Sequence, residues 1–542
     1  MDRQTFTGDG SANRIRHQNA WTERLILFTL LLAGLLLFTI NLESLALRDW
    51  DEGTVAQVAR EIFEGGGANS DRWLFPTLWD KPYLNKPPLV HDLIAACYAM
   101  GGVNEAMARL PSALLMAVSA PLFYLLGKEL FWTRQPALLA TLIYLTTLPL
   151  VRHGRLAMLD GAVVCFLILL VWSVLRSRRD LRWCLAIGLS LSLIGLTKGM
   201  MAILLGGIAF GFLAWDTPRL YRSFYFWGGV ILGCLPVFAW YGLQWLHYRD
   251  QFVETAIFSQ SFSRIWQPVD NNSGPPWYYL QRLFHSLPWL MFAVSGLALA
   301  WRDRIWSWAK LVLVWSGVYF LAVSAMSTKL PWYILPIYPA LALAAGAMIN
   351  EVLRYPREYP YPRQWGILLI VLGLIALGAG TYYGFSEEDN KQLLIVCWGV
   401  ALTTGFSGGL ILRRDRQFVN LLTWGMYVSL LLFVTSPNWI WELNEAYPVK
   451  PVAMLIRDQV PADVPVYTSF PYHRPSLNFY AQRQVFPLTT EEQLTTHWQD
   501  TSKAYFLVDE ETFQQPPFEG NAGKRYQAPP HWNLITKKAP RQ

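Results

Sequence analysis

The sequence predicts an α-helical polytopic membrane protein of about thirteen spans with a small α/β domain outside the membrane. Of the 542 residues, 53% are hydrophobic and 15% are charged, whereas soluble proteins carry roughly 25% charged residues. Long apolar segments recur along the chain, and Lys and Arg concentrate in alternate loops. The net charge of +7 is therefore attributed to cytoplasmic loops, and no nucleic-acid partner is expected.

Fourteen apolar segments are recognisable. They begin near residues 25, 88, 110, 136, 158, 183, 199, 224, 283, 308, 332, 365, 393 and 417. The segment 88–102 is short and contains His91 and Asp92. Because a span needs about 20 apolar residues, this segment is placed at the membrane surface, which leaves thirteen spans.

The loop charges test this count. With the N-terminus inside and thirteen spans, the basic short loops fall on the cytoplasmic side, as the positive-inside rule requires. These loops include 127–135, 176–182, 216–223, 301–310, 354–363 and 413–416. If 88–102 were a span, all of them would lie outside.

Three regions follow from this topology. They are a cytoplasmic segment 1–24, a transmembrane domain 25–436 whose first external loop is 43–109 with interfacial helices, and an extracytoplasmic domain 437–542. The last region contains the strand-like runs VPVYTSF (464–470) and AYFLVD (504–509) after a helical stretch. This alternation predicts a small α/β domain.

Several function classes lack their motifs. The sequence has no HExxH, no Walker loop and no GxGxxG after a strand, which argues against an ATP-driven pump or a nicotinamide enzyme. The five cysteines lie in apolar stretches, where they are expected to be small core residues.

The external face collects two carboxylate positions and several cations. Asp51 and Glu52 follow the first span, and Asp160 opens the span that begins near 158. The cations on this face are Lys86, Lys198, Arg264 and Lys329. Because Lys and Arg are expected to be scarce on this side, their presence predicts a bound anion such as a lipid phosphate.

Each residue also has a simpler interpretation. A single Lys at a helix end is commonly an interfacial anchor, and an Asp in the first turn of a helix is favoured by the helix dipole. The functional interpretation depends on the occurrence of all these residues on one side.

The ordered motifs resemble a known family. They are DE after the first span, KP at 86–87, LD at 159–160, TKG at 197–199, PPWYYL with LPW, and KLPWYILP from 329. Together they resemble bacterial members of the protein O-mannosyltransferase superfamily, in particular the lipid A aminoarabinose transferases, over residues 25–350.

This resemblance implies a C-type glycosyltransferase fold and an enzyme that takes a sugar from a polyprenyl-phosphate donor on the non-cytoplasmic side. It implies catalytic roles for Asp51 and Asp160, and donor-phosphate binding by Lys86, Arg264 and Lys329 with a hydroxyl from Tyr333. Glu52, next to Asp51, is also predicted to be catalytic, and Lys198, on the same face, is also predicted to bind the phosphate. The expected partners are the donor, a lipid or glycan acceptor and membrane lipids, and the expected location is the bacterial inner membrane with the active site on the periplasmic side.

One residue departs from the family pattern. The aminoarabinose transferases have an acidic residue just before the Lys-Pro pair, where this chain has Asn85. This difference puts in doubt a divalent metal site that depends on that carboxylate, and it weakens the case for lipid A and aminoarabinose as the substrates. The sequence leaves open whether a metal is needed. No other cofactor is expected.

Three alternatives remain open from the sequence. They are a protein O-mannosyltransferase acting on Ser/Thr, a transporter of lipid-linked sugars, and a non-catalytic membrane assembly factor. A transporter would be expected to carry ionisable residues near mid-membrane, whereas the charges of this chain cluster at span ends.

Overall fold

The computed structural model describes residues 9–66, 70–268, 272–385, 390–440, 448–500, 504–528 and 530–537. The region up to residue 440 is almost entirely helical. Its α-helices are α1 Asp9–Thr39, α2 Asp51–Glu64, α3 Leu89–Gly101, α4 Glu105–Leu130, α5 Arg134–Leu145, α6 Leu148–Gly154, α7 Leu159–Ser177, α8 Trp183–Lys198, α9 Met201–Asp216, α10 Phe224–Tyr248, α11 Asp250–Phe252, α12 Ser263–Trp266, α13 Tyr278–Leu283, α14 Trp289–Arg302, α15 Ser307–Ala325, α16 Tyr338–Arg354, α17 Arg363–Phe385, α18 Lys391–Leu412 and α19 Gln417–Thr435.

Among the described residues, nine helices are long and apolar enough to cross a membrane, and two bent pairs raise the number to as many as eleven. The pairs are α5 with α6, bent by 60°, and α13 with α14, bent by 112°. The multi-span helical architecture predicted from the sequence is confirmed. The apolar helices α3, α8 and α9 are shorter.

The bundle has a buried centre and an apolar outer surface. The helix α7 is buried along nearly its whole length. By contrast, Leu25, Ile203, Phe238 and Leu374 are each at least 60% exposed. In water such a surface would be costly, whereas hydrocarbon solvates it, and helices satisfy their own backbone groups there.

A two-stranded hairpin lies in the connection between α2 and α3. Its strands β1 (Thr77–Leu78) and β2 (Lys81–Pro82) are antiparallel. Trp79 and Asp80 form the turn with φ values of 55° and 58°, as a two-residue hairpin turn with left-handed residues requires.

The C-terminal region forms a five-stranded mixed sheet in the order β4-β3-β5-β7-β6. Its elements are α20 Val449–Gln459, β3 Val466–Thr468, α21 Pro475–Ala481, β4 Val485–Pro487, α22 Glu491–Asp500, β5 Tyr505–Asp509, α23 Glu510–Phe513, β6 Ala522–Ala528 and β7 Trp532–Lys537. Alternate residues of β5 face opposite sides. Leu507 packs with α20 and α21, whereas Phe506 and Val508 pack with α22.

The sheet domain docks on α2 through its helix α21. Asp49 accepts hydrogen bonds from Arg474 Nε at 2.6 Å and from the Ser476 backbone N–H at 3.1 Å. The Gly53 position is tight, since a Cβ there would lie 2.5 Å from the backbone nitrogen of Ser476. The start of α2 is therefore held by residues more than 400 positions later in the chain.

Candidate active site

Asp51 is the first residue of α2, at the end of a tight turn. The backbone N–H of Gly53 donates to the Arg48 carbonyl at 3.0 Å, and Trp50 has a φ of 61°. A non-glycine residue in the left-handed region costs of order 1–3 kcal/mol unless its surroundings compensate. The Asp51 carboxylate lies 3.8 Å from the Arg48 guanidinium and retains partial exposure.

Asp160 lies in the first turn of α7 and pairs with a lysine from another helix. Lys198, the last residue of α8, donates from Nζ to Asp160 Oδ1 at 2.7 Å. The Lys198 ammonium also lies 5.0 Å from the centre of the Tyr333 ring. The structure thus links two predicted donor-site residues to the second carboxylate.

A cavity of about 430 Å³ collects most of the predicted cations. Lys86, Lys198, Arg264 and Tyr333 all line it, and Asn85 lies at its edge beside Lys86. Much of the remaining wall is apolar. It is formed by Met200, Met201, Ile203, Leu204, Ala322, Val323 and Met326.

Arg264 presents its guanidinium beside two polar side chains. Its Nη1 donates to Tyr333 Oη at 3.1 Å and its Nη2 to Gln260 Oε1 at 2.6 Å. Its Nε is buried and has no hydrogen-bond acceptor in the described part of the chain. A buried donor without a partner costs free energy, and an anion in the cavity would remove that cost.

Burial among other cations perturbs Lys86. Desolvation, together with repulsion from Arg264 and Lys198, lowers the pKa of Lys86 to about 7. A bound anion would favour the charged ammonium and raise this pKa.

The pKa of Asp51 moves the other way. Burial raises the pKa of Asp51 to about 6, against the attraction of Arg48. Repulsion from Asp160 adds to the rise. At neutral pH the carboxylate is therefore ionised but is a stronger base than an ordinary aspartate.

Glu52 points away from the cavity into the protein. It is fully buried and receives two hydrogen bonds from Arg109, each 2.8 Å long, from Nε and Nη2. The backbone N–H groups of Arg48 and Ala157 donate to it as well, at 2.9 and 2.7 Å. These contacts hold the pKa of Glu52 below its usual range despite burial. The geometry favours a structural role over the catalytic one predicted from the sequence.

Lys329 lies outside the cavity lining. Its ammonium donates to the backbone carbonyls of Ser324 and Val323 at 2.6 and 3.3 Å, and the residue is 5% exposed. Desolvation lowers its pKa. Because two of its three hydrogen-bond donors are engaged by the end of α15, the geometry favours anchoring of this junction over the predicted contact with a phosphate.

Sequence reasoning missed three residues around the site. Arg48 faces Asp51, Gln260 orients Arg264, and Arg109 anchors Glu52. Arg109 also donates to the carbonyls of Leu42, Leu45 and Ala46. The position of Arg109 directly before the apolar segment that begins near residue 110 was the sequence signal for its pairing with Glu52.

The carboxylates do not form a metal site. In the parts of the chain that the structure describes, no three His, Cys, Asp or Glu residues are grouped for a metal ion. Asp160 is engaged by Lys198 and Asp51 faces Arg48. A divalent cation would have to displace both positive partners, so the residues present do not fit one.

Part of this chain matches a family model. Residues 85–241 match the model described as dolichyl-phosphate-mannose-protein mannosyltransferase. This range contains Lys86, Asp160 and Lys198.

Curated relatives show the same likeness over a longer range. An undecaprenyl phosphate-alpha-4-amino-4-deoxy-L-arabinose arabinosyl transferase from Erwinia tasmaniensis is 28% identical over 60% of this chain and 59% of its own length. The corresponding enzyme of Pseudomonas aeruginosa is 29% identical over 68% of each chain. An uncharacterized protein of Aquifex aeolicus is 27% identical over 66% of this chain and 70% of its own length.

Solved structures extend the likeness to almost the whole chain. The crystal structure of ArnT from Cupriavidus metallidurans bound to undecaprenyl phosphate matches with a TM-score of 0.73, at 18% identity, over 94% of this chain and 97% of that one. The chain has the ArnT fold. An Archaeoglobus fulgidus oligosaccharyltransferase matches more weakly, with a TM-score of 0.53 at 12% identity over 90% of this chain and 70% of that one.

The resemblance predicted from the ordered motifs is confirmed. The fold is that of ArnT, and the relatives are named as arabinosyl transferases. The chain accordingly resembles ArnT in fold and these transferases in sequence.

Proposed function

We propose that this chain transfers a sugar from a polyprenyl-phosphate donor to a lipid or glycan acceptor at the periplasmic surface of the bacterial inner membrane. The observation that carries the proposal is the cavity lined by Lys86, Lys198, Arg264 and Tyr333. Lys198 pairs with Asp160, and Asp51 interacts electrostatically with both of these residues. Three cations and a hydroxyl can bind a phosphate and stabilise the negative charge that develops on it as it leaves.

The donor phosphate lies between these cations in the proposed complex. Arg264 supplies its Nε–H group and one edge of its guanidinium. Lys86 supplies a point charge, and Tyr333 supplies a hydroxyl. As the bond between the anomeric carbon and the phosphate oxygen breaks, negative charge grows on the phosphate. These groups stabilise that charge more in the transition state than in the ground state.

The apolar wall suits the prenyl chain. Met201, Ile203, Leu204 and Val323 line the same cavity as the cations. Ile203 is 68% exposed, so this wall continues to the surface that faces lipid. A polyprenyl chain can therefore remain in the bilayer while its phosphate reaches the cations.

Asp51 acts as the general base in this mechanism. It accepts the proton of the acceptor hydroxyl or amine while the acceptor oxygen or nitrogen attacks the anomeric carbon. Asp160 holds Lys198 in the cavity through their 2.7 Å ion pair. The energy of the sugar–phosphate bond drives the reaction, and neither a nucleotide nor a metal enters any step.

The topology proposed with this function has thirteen spans. Thirteen spans result if each of the nine long helices, each of the two bent pairs and each of the shorter helices α8 and α9 is counted as one span. The remaining short helix α3 is then placed at the interface. An odd number places the region 437–542, the loop 43–109 and the active site opposite the cytoplasmic N-terminus.

Mass spectrometry of membrane lipids and surface glycans from a deletion strain tests the function. A single class of sugar adduct should disappear, return with the wild-type gene and remain absent with Asp51→Asn. Loss of a mannose adduct on Ser or Thr would instead identify the protein O-mannosyltransferase alternative. If every adduct persisted in the deletion strain, transfer by this chain would be excluded.

A further inference from the structure

A second cavity shares two lining residues with the donor cavity. It measures about 290 Å³, close to the lower end of small-molecule sites at roughly 300–1,000 Å³. Leu84 and Asn85 line both cavities. A ligand in the second cavity therefore lies next to the donor cavity.

Three separate parts of the chain build this second cavity. The hairpin contributes Trp79 and Lys81, the helical segment after α10 contributes Gln251 and Thr255, and the sheet domain contributes Gln484. Neither the hairpin nor the sheet domain belongs to the helical bundle. The cavity therefore gains Gln484 only when the sheet domain is docked.

The polar groups of this cavity are mostly neutral. Asn85, Gln251, Thr255 and Gln484 each present a side chain that can both donate and accept hydrogen bonds, and Lys81 is the one formally charged residue among the described lining residues. By contrast, the donor cavity has three cations. The two cavities thus differ in the charge of the ligand that they suit.

Trp79 adds an aromatic surface. Trp79 and Asp80 form the hairpin turn with positive φ, and Trp79 lines the cavity. A flat aromatic ring beside neutral amides matches a pyranose, which has an apolar face and a rim of hydroxyls.

From these observations we infer that the second cavity is the acceptor subsite and that it binds an uncharged, hydroxyl-rich sugar residue of the acceptor. The inference rests on the proposed function and narrows its acceptor to one that carries a neutral sugar next to the modified group. Leu84 and Asn85 line both cavities, so this sugar lies next to the donor cavity. Asn85 carries no charge, so it does not repel the acceptor electrostatically. Its side-chain amide can form a hydrogen bond with an acceptor hydroxyl.

Direct binding tests the ligand class without the donor. The probes are the methyl glycosides of glucose, galactose, mannose and N-acetylglucosamine, with glucose 6-phosphate as the charged comparison. Binding to the full-length protein in detergent is measured by saturation-transfer NMR. At least one neutral glycoside should bind wild type, and the Gln251→Ala/Gln484→Ala double variant should bind it roughly tenfold more weakly through two lost hydrogen bonds.

The control variant is Gln499→Ala, an exposed glutamine on α22 outside this cavity. It should bind the glycoside like wild type. A double variant that binds like wild type, or a wild type that binds none of the four glycosides, would overturn the inference. Preferential binding of glucose 6-phosphate that is lost in Lys81→Ala would overturn it in favour of a phosphorylated acceptor.

The two proposals fail separately. If the double variant still restores the missing adduct fully in the deletion strain while Asp51→Asn does not, the acceptor subsite is wrong and sugar transfer stands. If Asp51→Asn also restores the adduct, the proposed catalytic mechanism is wrong.

Discussion

Neighbouring carboxylates at residues 51 and 52 have opposite environments. Asp51 lies beside Arg48 with a pKa raised to about 6 by burial, whereas Glu52 is held ionised by Arg109 inside the protein. Successive residues in a helix point about 100° apart, so adjacent positions reach different surroundings. One carboxylate is available as a base, and the other fixes the turn that carries it.

This contrast predicts different consequences for two isosteric changes. Asp51→Asn should abolish transfer and leave the melting temperature in detergent nearly unchanged, because its side chain is partly exposed and makes one long ion pair. Glu52→Gln should lower the stability by roughly 3–5 kcal/mol, since it leaves Arg109 buried without its counter-ion. Adduct analysis and thermal unfolding of both purified variants distinguish the two roles. Equal melting temperatures would contradict the assignment for Glu52.

Two perturbed groups predict the pH dependence. Asp51 must be deprotonated to act as a base, so kcat/KM should fall as the pH drops below about 6. Lys86 must be protonated to bind the phosphate, so kcat/KM should also fall as the pH rises above about 7. The profile should therefore be bell-shaped, with its maximum between the two values.

The variant Lys86→Arg isolates the alkaline limb. An arginine stays protonated far above neutral pH, so the fall above about pH 7 should disappear while the acid limb remains. An alkaline limb that persisted unchanged would assign that limb to another group.

The cations differ in the effect of their removal on donor use. Loss of one charge-assisted hydrogen bond costs roughly 1.5–3 kcal/mol, or about ten- to a hundredfold. Arg264→Ala and Lys198→Ala should raise the donor KM by that order, and Arg264→Lys should be impaired because it cannot reproduce the guanidinium geometry.

Lys329→Met should lower the melting temperature and leave the donor KM within about twofold, since Lys329 binds backbone carbonyls. A large donor effect at Lys329 would restore its predicted role.

At the scale of elements, the site depends on one close packing of helices. The N-terminus of α2 packs on α21 so closely that Gly53 has no room for a methyl group. Arg60, further along α2, donates to the Phe479 carbonyl at 2.7 Å and stacks on its ring at 3.9 Å. Asp51 is therefore oriented by a helix that another domain holds in place.

Gly53→Ala should weaken this contact. A Cβ at 2.5 Å from the Ser476 nitrogen forces the two helices apart, and such overpacking costs roughly 1–3 kcal/mol. We expect a lower melting temperature and reduced transfer together. The control is Gly242→Ala in α10, where a Cβ would meet nothing within 4 Å. An unchanged Gly53→Ala protein would show that α2 does not depend on the docking.

The sequence predicts the spans better than the contacts between elements. A long apolar helix is required wherever the chain crosses hydrocarbon, so the segments near 224, 365 and 417 are evident from composition alone. The bends of 60° and 112° are not evident from composition. The predicted side of the membrane was enough to group Lys86, Lys198 and Arg264. The surroundings of Glu52 and Lys329 could not be predicted in this way, because they depend on contacts with Arg109 and with backbone carbonyls.

At the scale of the whole molecule, the proposed odd number of spans predicts the side on which the sheet domain lies. A reporter that is active only in the cytoplasm should be silent when it is fused after residue 442. The matched control is a fusion in the basic loop 413–416, which should be active. Activity at 442 would overturn the count and place the active site on the other face.

The ion pair of Asp49 with Arg474 also has a consequence during synthesis. The ribosome delivers α2 to the membrane long before residue 474 exists, so the turn at Asp51 lacks its partner until translation is nearly complete. We expect a chain stalled near residue 440 to be inserted yet inactive, with protease sensitivity between residues 48 and 66. A full-length chain should be protected there. We therefore expect the protein to become active only after the region that contains Arg474 has been synthesised. A chain that terminates before this region should not consume the donor.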